Sequence, residues 1–201
     1  MTGGQTNSDL DLVSLLASRL CHDVVGPVGA IQNGLELMAE DESMAEMALD
    51  LIKKSAAQAT AKLQYARMAY GAAGGVAELD PAEAGRLTEM MFAGERAELD
   101  WQWGGAVAPL DKVKTAMLLA TFALGAVPRG GTITVSAEGE GLEVVAAGTT
   151  IRTPPFTELL AGGEPTDPRA VQAALIHRFA AGAGWKVSAE EGPETFVFRA
   201  G

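Results

Sequence analysis

The chain has 201 residues, 48% of them hydrophobic, and carries 15 basic against 26 acidic side chains for a net charge of −11. A surface this acidic repels phosphate backbones and argues against nucleic-acid binding. A single cysteine, Cys21, rules out an internal disulfide and fits a reducing compartment, and the lack of any apolar run of about 18 residues argues against a membrane span.

The opening residues, MTGGQTNSDLD, have neither the basic start nor the apolar stretch of a secretion signal, so a cytoplasmic location is expected. From about residue 9, apolar residues recur every three or four positions through Val13, Leu16, Leu20, Val24, Val28, Ile31, Leu35 and Met38, the period of an amphipathic helix. AEDES at 39–43 interrupts the pattern, which resumes at Met44 and runs through Met47, Leu51, Ala59, Leu63 and Tyr70. Ser43 and Glu46 have capping-box spacing for the second helix. Residues 1–74 are therefore expected to form a helical hairpin. Two helices cannot enclose a core, and the simplest partner for their apolar stripes is a second copy, giving a four-helix bundle in a homodimer.

GAAGGVAE, 71–78, ends the hairpin, and residues 76–201 alternate between helix and strand signals. Asp80-Pro81 reads as the cap and first residue of a helix to about Ala93, with Glu83 as the capping-box acid. ELDWQW, 98–103, alternates as a strand with Leu99, Trp101 and Trp103 on one face. Residues 110–126 read as an apolar helix, and Pro128 to Gly131 as a turn. TITVSAE and GLEVVAA then pair as a hairpin, Asp167-Pro168 caps a helix to about Ala181, and WKVSAE and ETFVFRA close the chain as strands. Five strands and three helices predict a two-layer α/β sandwich, so the fold class is α plus α/β.

The stretch with chemistry in it is SRLCHDVVGPVGAIQNG, 18–34. On a helix, His22 lies off the apolar stripe, with Gly26, Gly29 and Asn33 following at four, seven and eleven residues. Glycine inside a helix costs about 1 kcal/mol relative to alanine, so two beside a histidine suggest that something must come close. Pro27 cannot donate to the Asp23 carbonyl, which predicts a kink and a looser turn just beyond His22. Asp23 can hydrogen-bond one imidazole nitrogen, selecting the tautomer and making the other nitrogen a better nucleophile. His177, in ALIHRFA, has no such company and reads as a helix-surface or boundary residue; Cys21 reads as a packing residue. No Cys/His cluster suggests a metal site.

A histidine followed by an acid, with proline five residues on at the start of a helical hairpin, resembles the phosphoacceptor motif of histidine-kinase dimerisation domains. The α/β half resembles the ATP-binding domain of the same kinases. AMLLATFALGAVPRGGTITV aligns with the segment that carries the kinases' Asn-box, but the metal-holding Asn falls on Phe122. In the adenine-binding Asp-x-Gly-x-Gly box the acid falls on Ala146 and the second glycine on Thr150, and EPTDPRAVQAALIHRF lacks the Gly-x-Gly of the phosphate lid. An intact histidine motif joined to three lost nucleotide boxes resembles the alphaproteobacterial histidine phosphotransferases over nearly the whole chain. The resemblance implies a relay without ATP. His22 accepts a phosphoryl group from an aspartyl phosphate on the receiver domain of a hybrid histidine kinase. It then passes the group to receivers of response regulators, such as CtrA and CpdR, that govern cell-cycle programmes. No cofactor of the chain's own is implied, the Mg²⁺ being expected on the receiver. Asp23 is expected to control the tautomer, and Ser18, Arg19, Val25, Gly26, Gly29, Ala30 and Asn33 to form the docking surface. Arg19 could equally be a solvated arginine. The alternatives are an active histidine kinase with a divergent ATP site and a scaffold that binds receivers without chemistry.

Overall fold

Helix α1, Gly3–Glu40, and helix α2, Ala45–Ala69, fold back on one another through a 3-10 turn at Glu42–Met44. The computed structural model describes residues 3–40, 42–72, 75–139 and 141–201, with backbone alone for 3–8, 42 and 138; part of the glycine linker expected at 71–78 lies outside these. Small residues set the spacing of the hairpin. Ala48, Ser55 and Ala59 are buried on α2, and a Cβ added to Gly34 would stand 2.6 Å from Ile52 Cγ1 and 3.2 Å from the Ala48 carbonyl oxygen. The start of α2 falls one residue later than the Ser43 spacing suggests. Ser43 sits within the 3-10 turn, and the capping position belongs to Met44, which has no side-chain cap bond.

Helix α1 begins six residues before the periodicity does. Its early turns are held from outside: Leu12 is buried in the core shared with the second half, and Asp9 pairs with Arg178 at 3.0 Å. Tertiary partners override a weak local signal there.

In the second half, Asp80 Oδ1 accepts from the Ala82 N–H and Pro81 is the first residue of α3, Pro81–Phe92, as capping rules require. The Glu83 carboxylate is not a capping-box acid: Arg86 takes both its oxygens at 2.7 Å. The strand from ELDWQW, β2 at Ala97–Trp101, ends two residues early because the Trp101 indole N–H turns back to donate to the Trp103 carbonyl. Helix α4, Leu110–Ala123, is buried almost all round and tightens into a 3-10 turn at Leu124–Ala126. Strands β4, Gly131–Glu138, and β5, Gly141–Ala147, form the expected antiparallel hairpin. After a long connection, Asp167 caps a 3-10 turn at Pro168–Ala170 that runs into α5, Val171–Gly182. Strands β6, Val187–Glu191, and β7, Thr195–Ala200, complete a five-stranded sheet in the order β2-β4-β5-β7-β6, with only β2 and β4 parallel. Ile133, Val135, Val144, Ala146, Phe196 and Phe198 alternate onto the face that the helices cover. Two further two-residue strands, β1 at Glu78–Leu79 and β3 at Ala108–Pro109, pair antiparallel; they are too short to leave a period in the sequence.

The two halves are tied together. Lys114 on α4 is buried, donates to the Gly71 carbonyl at 2.6 Å and lies over the Phe179 ring; burial pushes its ammonium below the usual lysine value.

Candidate functional site

His22 stands on the open flank of α1 with its side chain 89% exposed. Its Nδ1 lies 3.5 Å from Asp23 Oδ1, at the outer limit of a hydrogen bond, with Nε2 at the far edge of the ring. The other Asp23 oxygen lies 3.5 Å from Arg19 Nε. One carboxylate thus connects the histidine to an arginine one turn earlier.

Arg19 is not a solvated arginine: three quarters of its side chain is covered and it bonds within the chain. Its two terminal nitrogens donate to the Arg169 carbonyl at 3.2 Å and to Gln172 Oε1 at 3.1 Å. Gln172 in turn donates to the Leu118 carbonyl and to Thr121 Oγ1, both at 2.8 Å, and the Tyr65 hydroxyl joins Thr121 and the Met117 carbonyl. This relay spans from the turn that carries His22, where it is partly exposed, into α4 and α5, where it is buried. Arg19 Nε is the exception to the pairing: it is buried without a hydrogen-bond partner and has only the Asp23 carboxylate 3.5 Å away.

Tyr65 gives the relay a pH signature. Burial pushes its phenol well above the ordinary 10.0. An unfolded tyrosine ionises near pH 10 while Tyr65 in the fold stays neutral. Its contribution is therefore complete below that pH and drains away above it, by up to about 1.4 kcal/mol per pH unit. Melting of the wild-type chain should fall more steeply above pH 10 than that of Tyr65→Phe; parallel profiles would show that the phenol is not linked to folding.

The remaining residues expected at a docking surface share the His22 flank. Ser18 and Asn33 are exposed, Ala30 is half-buried, Val25 is 67% exposed, and the Ser18 hydroxyl is turned onto the Ser14 carbonyl. A Cβ added to Gly26 or Gly29 would meet nothing within 4 Å. Nothing inside the chain demands glycine at either position, in contrast to Gly34. Cys21 is exposed rather than packed, because it faces a groove of about 790 Å³ between the hairpin and the α/β half. Val24, Val28 and Leu63 wall the groove on one side, and Met90, Met91 and Leu124 on the other.

Pro27 is buried, and α1 continues unbroken across it. The expected loose turn is instead clamped: the Asp23 carbonyl that Pro27 cannot serve accepts from Lys62 Nζ at 2.8 Å. Lys62 and Gln172 are the residues that periodicity overlooked. Lys62 is the one charged residue in QATAKLQYA and Gln172 the one polar residue in AVQAALI, and that isolation is the signal that would have found them.

The positions of the lost nucleotide boxes are packed. Phe122 is buried with its ring edge-on to Phe198, centroids 5.8 Å apart, Ala146 is fully buried on β5, and Thr150 is half-buried after it. His177 is half-buried at a boundary, its Nδ1 3.2 Å from the Leu160 carbonyl. Among the described residues no group of three or more His, Cys, Asp or Glu is placed to hold a metal ion, and no helix is long and apolar enough to cross a membrane.

Comparison with known proteins gives this geometry a family. Residues 81–195 match the histidine phosphotransferase C-terminal domain. The chain is 40% identical to protein phosphotransferase ChpT of Brucella abortus (strain 2308), over 97% of each. A solved structure of a bacterial phosphotransferase superposes with a TM-score of 0.85 at 38% identity, covering 96% of both chains. The chain belongs to the histidine phosphotransferase family.

Proposed function

We propose that His22 is the phosphoacceptor of an ATP-independent relay between receiver-domain aspartates, acting in the cytosol as a homodimer. The observation that carries this reading is a histidine almost wholly exposed beside two glycines that the chain's own packing does not require. The glycines make room for the loops of a visiting receiver, with Ser18, Val25, Ala30 and Asn33 as the rest of the contact. The dimer rests on exposed apolar side chains along both helices, among them Val13, Val28 and Leu35 on α1 and Met47, Leu51 and Leu63 on α2; a solution mass of one chain would exclude it.

The chemistry follows from the geometry. The Nε2 lone pair attacks phosphorus in line with the acyl oxygen of an aspartyl phosphate. The P–N bond forms, the P–O bond breaks, and the electron pair leaves on the receiver's carboxylate. The ring gains positive charge while Nδ1 keeps its proton, and Asp23 stabilises that charge from the Nδ1 side. Return of the group to another receiver reverses these steps. The receiver supplies Mg²⁺ and a lysine; this chain supplies the nucleophile and its alignment.

Incubation with a phosphorylated receiver should label the chain with no nucleotide present, and Gly29→Leu should raise the receiver concentration needed for half-maximal transfer. Labelling by ATP and Mg²⁺ alone would favour the kinase reading, and a receiver that binds without exchanging label would favour the scaffold.

A further inference from the structure

Proline at position 27 creates a defect that has to be answered. In an α-helix the N–H of residue 27 would donate to the carbonyl of residue 23, and proline has no N–H. Asp23 is half-buried, so a protein donor answers its carbonyl better than partial access to water does. The donor comes from the other arm of the hairpin. Lys62 on α2, half-buried, places Nζ 2.8 Å from the Asp23 carbonyl oxygen. Among the described residues no carboxylate pairs with Lys62, so its ammonium is committed to this carbonyl. The residue held is the one that follows His22 and faces its Nδ1, and the same residue's carboxylate is approached by Arg19 from within the relay. Asp23 is therefore gripped twice, by its main chain from α2 and by its side chain from α1.

We propose that Lys62 is a positioning residue for phosphotransfer: it replaces the hydrogen bond that Pro27 removes and fixes the turn from which His22 and Asp23 project. The proposal rests on His22 being the acceptor. Charge-assisted bonds from an ammonium to a carbonyl are short and directional, and in-line transfer is sensitive to small misplacement of the nucleophile. Loss of the clamp should consequently slow the chemical step without altering the surface that the receiver touches.

The test measures transfer from a phosphorylated receiver to the full chain across receiver concentrations, with wild type, Lys62→Met, Lys62→Arg and Pro27→Ala, each checked for melting temperature. Methionine keeps the stem and loses the donor. The maximal rate for Lys62→Met should fall about tenfold with an unchanged half-saturating receiver concentration, and arginine should restore most of it. Pro27→Ala returns an N–H to the Asp23 carbonyl, so adding Lys62→Met to that background should cost little. This non-additivity is one that a general role for Lys62 in hairpin stability would not produce. A wild-type rate in Lys62→Met, a loss seen only in half-saturation, or an equal loss with and without Pro27 would overturn the proposal. Label taken up by His22→Ala would overturn the acceptor assignment instead, which keeps the two failures distinguishable.

Discussion

His22→Ala will take up no phosphoryl group from a phosphorylated receiver, a loss on the order of 10³-fold or more, as removal of a nucleophile entails. The substitution is at an exposed position on a helix and removes a ring that is 89% exposed beside Asp23, so folding stability should change by less than about 0.5 kcal/mol. The loss would then be chemical. No second histidine can stand in. The chain has two, and His177 is half-buried with Nδ1 occupied by the Leu160 carbonyl and its ring against Gly162. Equal melting temperatures with abolished transfer is the pair of results expected; retained transfer would remove His22 from the mechanism.

The second large effect concerns the α/β half. Phe122→Asn restores the residue type that the kinase frame places there, yet it should not restore a nucleotide site. The Phe122 side chain is packed edge-on against Phe198, which is fully buried and lies 4.9 Å from the Phe196 ring centre. Truncating it leaves a cavity, and the amide in its place lacks a partner among apolar neighbours. The cost is about 3–5 kcal/mol, a large part of the roughly 5–15 kcal/mol that holds a domain together. Chemical denaturation should show the full loss, and calorimetry with ATP and Mg²⁺ should show no binding. A variant of wild-type stability that binds nucleotide would mean that the pocket is open and only its key residue was changed.

The strong periodicities of the chain translated directly into structure. The hairpin, the apolar helix at 110–126, the β4–β5 pair and the Asp80 cap are all dictated within a few residues of sequence, so local pattern suffices to find them. The placement of His22 was legible for the same reason: position along a helix determines which residues share a flank, and an exposed His22 beside Gly26 and Gly29 follows from spacing. What escaped depends on partners distant in the chain. Helix α1 extends to Gly3 because Leu12 joins the core of the second half and Asp9 finds Arg178 on α5, and Arg19 turns inward because Gln172, more than 150 residues away, accepts from it. Pro27 reads as a looser turn until Lys62 is brought across from the second arm. Ser43 and Glu83 show the converse, cap residues by spacing whose places went to Met44 and to an ion pair with Arg86.

The most direct test of the relay is to locate the phosphoryl group on the intact chain after exposure to a phosphorylated receiver, by fragment mass spectrometry under conditions that preserve acid-labile phosphate. Modification of His22 on the nitrogen remote from Asp23, and nowhere else, is the predicted result. Phosphate on His177 or on a carboxylate, with His22 unmodified, would contradict it.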